Sequence, residues 1–429
     1  MLTPSLRTTV TSVALLSVIF GSWSTCGIAR AEEDSACPWP QWRGPTRDGI
    51  VSGSCWPDSL SEEALHEAWR VELGPSYSGP IVTSEHVIVT ETVDKKSESV
   101  RAFDRRTGEG VWRVSWPGAM SVPFFAKANG DWFRSTPACD GEHIFVAGMR
   151  DVLVCLRVDT GQELWRTDIT TIPGGSLESF GFVCSPLIDG DGVIVQTGAG
   201  IVRLEKRTGV IQWRVETDDG GMSGGAFSSP VTATLQGKRQ LVVQTREQLQ
   251  GRDVQSGNLL WSIDIPAFRG MNILTPTVLD DRIFTSSYGG GSFMVDVKTD
   301  GNNWTAELLW ENKIEGYMSS PIVRNGFIYL HLRNQRLTCL DAETGKEQWR
   351  SKPFGKYLSM LVHDDEILAL DERGELLLFQ ANPTAFELLQ RRQISESPTW
   401  SYLGMTTNNL FLRELNGLVC YRRSQDGND

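Results

Sequence analysis

One block of sequence returns along this chain and narrows the folds open to it. It reads Ser/Thr-Pro, a short apolar strand, a polar turn, a longer apolar strand, a second turn, a strand ending near Asp, and then Thr-Gly-x-x-x-Trp. The clearest copy runs from Ser320 to Arg350. Ser320-Pro321-Ile322-Val323 opens it, and Asn325-Gly326 is a two-residue hairpin signal, because both residues tolerate the positive φ such turns need. Phe327 to Leu332 is the second strand, Arg333-Asn334-Gln335 turns, and Arg336 to Asp341 is the third strand. Glu343-Thr344-Gly345 turns again and Lys346 to Arg350 is the fourth. Four short strands joined by tight turns form an antiparallel meander.

The opening mark recurs at Pro80, where Gly79 takes the Ser/Thr place, and at Pro137, Pro186, Pro230, Pro276 and Pro321. The closing mark recurs at Gly108/Trp112, Gly161/Trp165, Gly209/Trp213, Gly257/Trp261 and Gly345/Trp349, and Trp310 closes a unit with an altered turn. Two further units are eroded: one from about Ser359 to Leu389 with Leu in place of Trp, and one from about Thr399 to Tyr421 with only three strands. The spacing of 39 to 57 residues is that of propeller blades and not of helical solenoids. The last unit lacks a fourth strand, while Ala68-Trp69-Arg70-Val71-Glu72-Leu73 stands spare before the first. The economical solution is an all-β ring: an eight-bladed β-propeller of four-stranded blades, closed by the N-terminal strand in the last blade. Closure removes both exposed sheet edges. If the eroded units are discounted, the alternative is seven blades.

Trp69, Trp112, Trp165, Trp213, Trp261, Trp310 and Trp349 all stand on outer strands in this scheme. Each is expected to lie flat on the neighbouring blade's Gly turn, a structural girdle in which each burial is worth roughly 2 to 3 kcal/mol.

Arg7, the apolar run from Thr9 to Gly21 and Ala29-Arg30-Ala31 have the layout of a signal peptide cleaved after Ala31. A lipoprotein signal at Cys26 fits poorly, because Trp23 and Thr25 stand where aliphatic and small residues are wanted. The expected organisation is a signal peptide at 1–31, a leader segment at 32–66, the propeller at 67–423 and a tail at 424–429. That implies export to the periplasm or beyond, with no transmembrane segment after cleavage. Acidic residues outnumber basic ones 53 to 41, and the field of a chain at −12 argues against a nucleic-acid partner. Seven Cys follow the signal, an odd number. Cys37 and Cys55 bracket a Trp-, Gly- and Pro-rich stretch and are the best disulfide pair. Five scattered His and no Cys/His cluster make a metal site unexpected.

Ala102, Asp104, Thr107, Gly108 and Trp112 match every marked position of Ala-x-Asp-x-x-Thr-Gly-x-x-x-Trp. Asp341, Thr344, Gly345 and Trp349 match with Cys339 in the Ala place, and blades two and three carry Arg157 and Glu205 in the Asp place. On these residues, over about 38 to 422, the chain resembles the PQQ-like, Trp-docking propeller family. The opening Trp39-Pro40-Gln41-Trp42-Arg43-Gly44-Pro45-Thr46-Arg47-Asp48-Gly49 is similar to the leader of its secreted members. The resemblance implies either a BamB-type outer-membrane assembly scaffold without a cofactor or, more distantly, a quinoprotein dehydrogenase holding PQQ with calcium. Many quinoproteins stack adjacent cysteines on the quinone; this chain has no such pair.

Propeller geometry puts the loops between blades and the second-to-third-strand turns on one face. The long loops there bring Trp132 and Arg134, Phe180 and Phe182, Phe227, Met271, Tyr317, Met318, Tyr357, Trp400 and Tyr402 toward the channel mouth. The turns bring Arg150, Arg246, Arg333, Arg373 and Arg413, each beside an acid or amide. These Arg either pair inside their own turns or form a ring for an anion. Trp132, Arg134, Phe182, Arg150, Arg246, Arg333 and Trp400 are therefore the candidate binding residues. The expected partner is an envelope protein or a small anionic or aromatic ligand. No catalytic residue emerges, and a concave, mostly apolar surface is the default site.

Overall fold

A computed structural model describes residues 38–53, 55–173, 175, 177–197, 200–217 and 227–424. The chain divides into the units Met1–Ser35 and Ala36–Asp429, and the described residues all belong to the second. They form eight four-stranded antiparallel sheets. Blades 1 to 7 span 81–117, 138–168, 187–216, 231–264, 277–312, 322–353 and 358–393. Blade 8 joins Gly404–Met405, Asn409–Glu414 and Gly417–Arg423 to the N-terminal strand Leu65–Glu72. Trp69 pairs with Cys420, Arg70 with Val419 and Val71 with Leu418, so the ring closes tail to head as expected, with eight blades.

The middle two strands of each blade are almost wholly buried, while outer strands such as Gly110–Pro117 alternate exposed and half-buried. That is the pattern of sheets stacked face to face around an axis. The Asp of the closing motif shapes the last turn. Asp104 Oδ1 accepts from the backbone N–H of Arg106 and Thr107, both at 2.9 Å, and from the Thr107 hydroxyl at 3.1 Å. Gly108 then takes φ 75°, and a Cβ there would meet the Trp69 ring at 2.7 Å. The motif thus builds a flat seat for the preceding blade's indole. In blade 2 the charges are exchanged: Arg157 takes the Asp place and pairs with Asp159 at 2.8 Å.

Six of the seven girdle tryptophans dock forward. Their indole N–H groups donate to a carbonyl of the next blade: Trp69 to Arg105, Trp112 to Val158, Trp165 to Lys206, Trp213 to Val254, Trp310 to Ala342 and Trp349 to Asn382. Trp261 departs from the expectation. Blade 5 extends its last hairpin into two nine-residue strands, Gly291–Thr299 and Trp304–Asn312, and so has no Thr-Gly seat. Trp261 turns into its own blade, over Gly251, and donates to Gln240 Oε1 at 2.8 Å. The Val297 carbonyl of blade 5 is taken instead by the Gln236 side-chain amide at 3.1 Å.

The Ser/Thr-Pro mark also acquires a cause. Around the channel the backbone N–H of one blade donates to the hydroxyl of the next. Gly79 donates to Thr136, Thr136 to Ser185, Ser185 to Ser229 and Ser229 to Thr275, at 2.9 to 3.1 Å. The following Pro has no N–H to leave unpaired on the axis.

The leader threads this channel. Trp39 pairs with Val82 of blade 1, the Pro40 carbonyl accepts from Cys139 of blade 2 at 2.8 Å, and Ile50 bridges Val362 of blade 7. Between them Arg43 donates to the Pro321 carbonyl at 2.6 Å. Arg47 donates to the carbonyls of Pro186 at 2.7 Å and Ser185 at 3.1 Å. Both arginines are buried. Burial lowers both pKa values, that of Arg47 to about 10. The chain then runs along blade 7, where Trp56 donates to Glu366 at 2.9 Å and stacks on His363, and Leu60 joins the core shared by blades 7, 8 and 1. Cys55 is disulfide-bonded; Cys37, its expected partner, lies outside the described residues. Cys139, Cys155, Cys184, Cys339 and Cys420 are buried.

Candidate functional site

At the long-loop face the channel opens into a cavity of about 360 Å³. Its lining includes Trp42 of the leader. Above Trp42 stand Thr136, Ser185, Ser229, Thr275 and Ser320, each two residues before a first strand, then the interblade loops. Trp42 is held between Arg43 and Arg47, each 5.5 Å from its ring, and meets Tyr402 edge-on at 5.4 Å. The Tyr402 hydroxyl in turn accepts the Ser320 N–H at 3.1 Å.

Two arcs of aromatic rings wall the mouth. One runs Tyr77–Trp400–Tyr357–Tyr317–Tyr288–Phe268, with ring centroids 3.9 to 6.0 Å apart. The other runs Phe124–Phe125–Phe180–Phe227 at 5.3 to 6.4 Å. Phe124 and Phe125 sit on a short 3₁₀ helix, Phe124–Asn129, which Pro123 leads into and Gly130 ends. Val122, Ala126 and Met149 anchor that turn, with Met120 and Phe180 packed on them. Its outward rings are exposed, Phe124 at 84% and Phe125 at 51%, as is Phe268 across the mouth at 50%.

Arg134 projects into this apolar cup. It donates to the Gly130 carbonyl at 2.6 Å, lies 5.8 Å from the Tyr77 ring, and keeps a buried Nε with no hydrogen-bond partner. Desolvation lowers its pKa, with Tyr77 and Asp131 opposing the shift. Beneath the wall, Glu98 is buried between blades 1 and 2. It accepts from the Met149 N–H at 2.7 Å and the Trp116 indole at 2.9 Å, yet burial raises its pKa to about 7.

Of the candidate binding residues, Arg134 and Trp400 line the cavity. Trp132 lies beside it, 6.0 Å from the Lys95 ammonium. Phe182 does not reach the mouth; it is 1% exposed in the core between blades 2 and 3. The turn arginines stand apart from the cavity lining. Arg150 is exposed, and the Gly270 backbone packs closely over the Arg246 side chain. Arg333 pairs with Glu315 and stacks 4.3 Å from Tyr288, and Arg373 pairs with Asp371 at 2.7 Å. Arg413 is fully buried, donating to carbonyls of Gly417, Gly74 and Thr90 across the closing joint, and burial lowers its pKa to about 9. Sequence reasoning missed Trp42, Arg43 and Arg47. Nothing local marked them, since their partners lie more than a hundred residues away.

Calcium with PQQ calls for oxygen ligands, carboxylates above all. Among the described residues lining the cavity there is no Asp or Glu, and its charged groups are Arg134 and Arg269. Nor do the described residues gather three or more His, Cys, Asp or Glu that could hold a metal ion. This donor set does not fit the calcium-dependent group. No helix among the described residues is long and apolar enough to cross a membrane.

Comparison with known proteins agrees with the architecture. A family model described as outer membrane protein assembly factor BamB matches residues 96–351, more than half of the chain. Outer membrane protein assembly factor BamB of Yersinia pestis is 23% identical over 358 residues, 79% of this chain and 78% of that protein. The crystal structure of BamB from Moraxella catarrhalis superposes with a TM-score of 0.61 at 15% identity, covering 85% of this chain and 99% of that one. Quinohemoprotein alcohol dehydrogenase from Comamonas testosteroni superposes at 0.66 and 13% identity, covering 93% and 83%. At these identities both structures speak to the fold alone.

Proposed function

The chain belongs to the outer membrane protein assembly factor BamB family, and from that premise we propose that it is an exported, non-catalytic scaffold that holds a protein partner of the cell envelope against its long-loop face. The observation that carries the reading is the exposed aromatic rim, Phe124, Phe125 and Phe268, around an axial cup. Exposed, contiguous aromatic surface on an otherwise polar protein marks an interaction site. Residues 1–31 serve as the export signal in this reading, 32–66 are a leader to the propeller at 67–423, and 424–429 form a tail. Residence is periplasmic or extracellular, and no cofactor is required. Trp400 and Arg134 are the interior contacts of the partner and Trp132 flanks them. Arg150, Arg246 and Arg333 belong to the outer edge of the same face.

The test is site-specific photocrosslinking in the intact cell, with the photoreactive residue at Phe124 and, as control, at Val111 on an outer strand. The expected result is a discrete envelope-protein adduct from Phe124 and none from Val111. Equal adducts from both positions, or dye reduction by the purified protein given PQQ and calcium, would overturn the scaffold reading.

A further inference from the structure

The cup has a chemical preference of its own. The whole chain carries −12, yet the described residues lining the cup include two arginines and no acid. Just behind its floor lie two more buried cations, Arg43 and Arg47, whose hydrogen bonds to Pro321, Pro186 and Ser185 go to neutral carbonyls and not to carboxylates. Charges held in a low-dielectric wall project into the space they face. Arg134 lines that space, its guanidinium steadied by the Gly130 carbonyl at 2.6 Å. Around it the surface is aromatic, and at about 360 Å³ the cavity admits one or two side chains and no folded element.

Resting on the partner-binding reading above, we propose that the cup is a recognition pocket for an extended segment of the partner that presents a carboxylate next to an aromatic side chain. The carboxylate meets Arg134 in a charge-assisted hydrogen bond, which Arg is built to make. The aromatic ring packs among Tyr77, Phe125 and Trp400. Phe124 and Phe268 cover the flanking backbone. A partner of positive charge, or one lacking a carboxylate at this point, is disfavoured.

The test is calorimetric titration of the full exported chain with two capped tetrapeptides, Gly-Glu-Phe-Gly and Gly-Gln-Phe-Gly, with benzoate as a third probe. The Glu peptide is expected to bind at least tenfold tighter than the Gln peptide, and the difference shrinks as salt rises. Arg134→Gln, which keeps the side chain's bulk, is expected to erase the preference, and Phe124→Ser to weaken both peptides severalfold. If Arg134→Gln melts early, Arg269→Gln on the exposed rim carries the same test with an expected smaller loss of preference. Equal binding of the two peptides overturns the proposal. So does a preference that survives Arg134→Gln, or benzoate binding as tightly as the peptide, which would make the cup a small-molecule site. If the Phe124 crosslink to an envelope protein persists in Arg134→Gln, the scaffold reading stands and only the recognition chemistry falls.

Discussion

The two sides of the cup's floor use arginine in different ways. Behind the floor, at the closed end, the leader fills the channel and its cations tie distant blades together. Arg43 bonds the Pro321 carbonyl, Arg47 bonds Ser185 and Pro186, and the backbone is clamped at Val82, Cys139 and Val362. At the open end, on the loop face, Arg134 enters an aromatic cup and bonds only the Gly130 carbonyl of its own loop. All three guanidinium groups keep a buried Nε without a partner, so what separates them is which parts of the chain they join. The closed end is built for stability and the open end for what enters the cup. Mutations at the two ends should therefore divide between folding and binding.

Arg47→Ala tests the closed end and has the largest expected effect. It leaves two buried carbonyls unpaired and a void under Trp42, for a loss of about 3 to 4 kcal/mol. A guanidinium melt of the exported chain measures it. Arg134→Ala at the open end is expected to cost under about 1 kcal/mol in the same melt, because its hydrogen bond to the Gly130 carbonyl stays within its own loop and ties no blades together. If the two losses are equal, the division between ends is wrong.

Glu98 sharpens the comparison from below the open wall. Its folded pKa, about 7, lies above the ordinary value of 4.5, so between these pH values the native state holds the proton more tightly than the unfolded chain. This stabilising contribution is full below pH 4.5 and is lost as pH rises through 7. Relative to Glu98→Gln, the native protein should lose about 2 to 3 kcal/mol between pH 4.5 and 8. Thermal melts of both proteins at the two pH values check the sign. A native protein that gains stability relative to Glu98→Gln as pH rises would mean that the Met149 and Trp116 hydrogen bonds outweigh desolvation.

Much of the ring was legible in the chain because its signals are local. Asp104 and Gly108 are four residues apart and make the seat that Trp69 needs; Asn325-Gly326 turns a hairpin within its own two residues. The eroded last units were legible for the same reason, and the spare strand carrying Trp69 completed the count. What the sequence hid depends on contacts made at long range. Trp261 has the same motif around it as Trp213, but its orientation is set by the hairpin of the next blade, extended past Gly301. The leader offers no period to read, and its partners are 139 and 278 residues distant. Phe180 and Phe182 stand two apart in an irregular loop, where no periodicity says which ring faces the mouth; the first does and the second is core. The cup was visible in outline, as aromatics gathered before inner strands, but its floor was not.

The 4/5 joint offers a smaller effect in the closed half. There the Gln236 amide occupies the Val297 carbonyl in place of a docked indole. Gln236→Ala is expected to cost about 1 kcal/mol, one partly buried hydrogen bond. The loss should appear as faster amide hydrogen exchange confined to blades 4 and 5, whereas Trp213→Ala, which also gives up an aromatic seat, should loosen the 3/4 joint by about 2 to 3 kcal/mol. Equal effects would mean that the indole contributes no more than its hydrogen bond.

Phe124→Ser has the smallest expected effect on folding and the most informative one on function. The ring is 84% exposed and its packing partner in the rim is Phe125, itself half in solvent. Removing it takes almost no buried area from the fold, so the melt should move by less than about 0.5 kcal/mol. An exposed aromatic of this kind carries a solvation cost when free and repays it only when something covers it. The adduct formed from the mouth in cells should accordingly fall severalfold when Phe124 is Ser and the photoreactive group is moved to Phe268, while the channel variant Arg47→Lys, if folded, leaves the adduct unchanged. A mouth adduct insensitive to Phe124 but lost with Arg47→Lys would reverse the assignment, making the plugged end the working one.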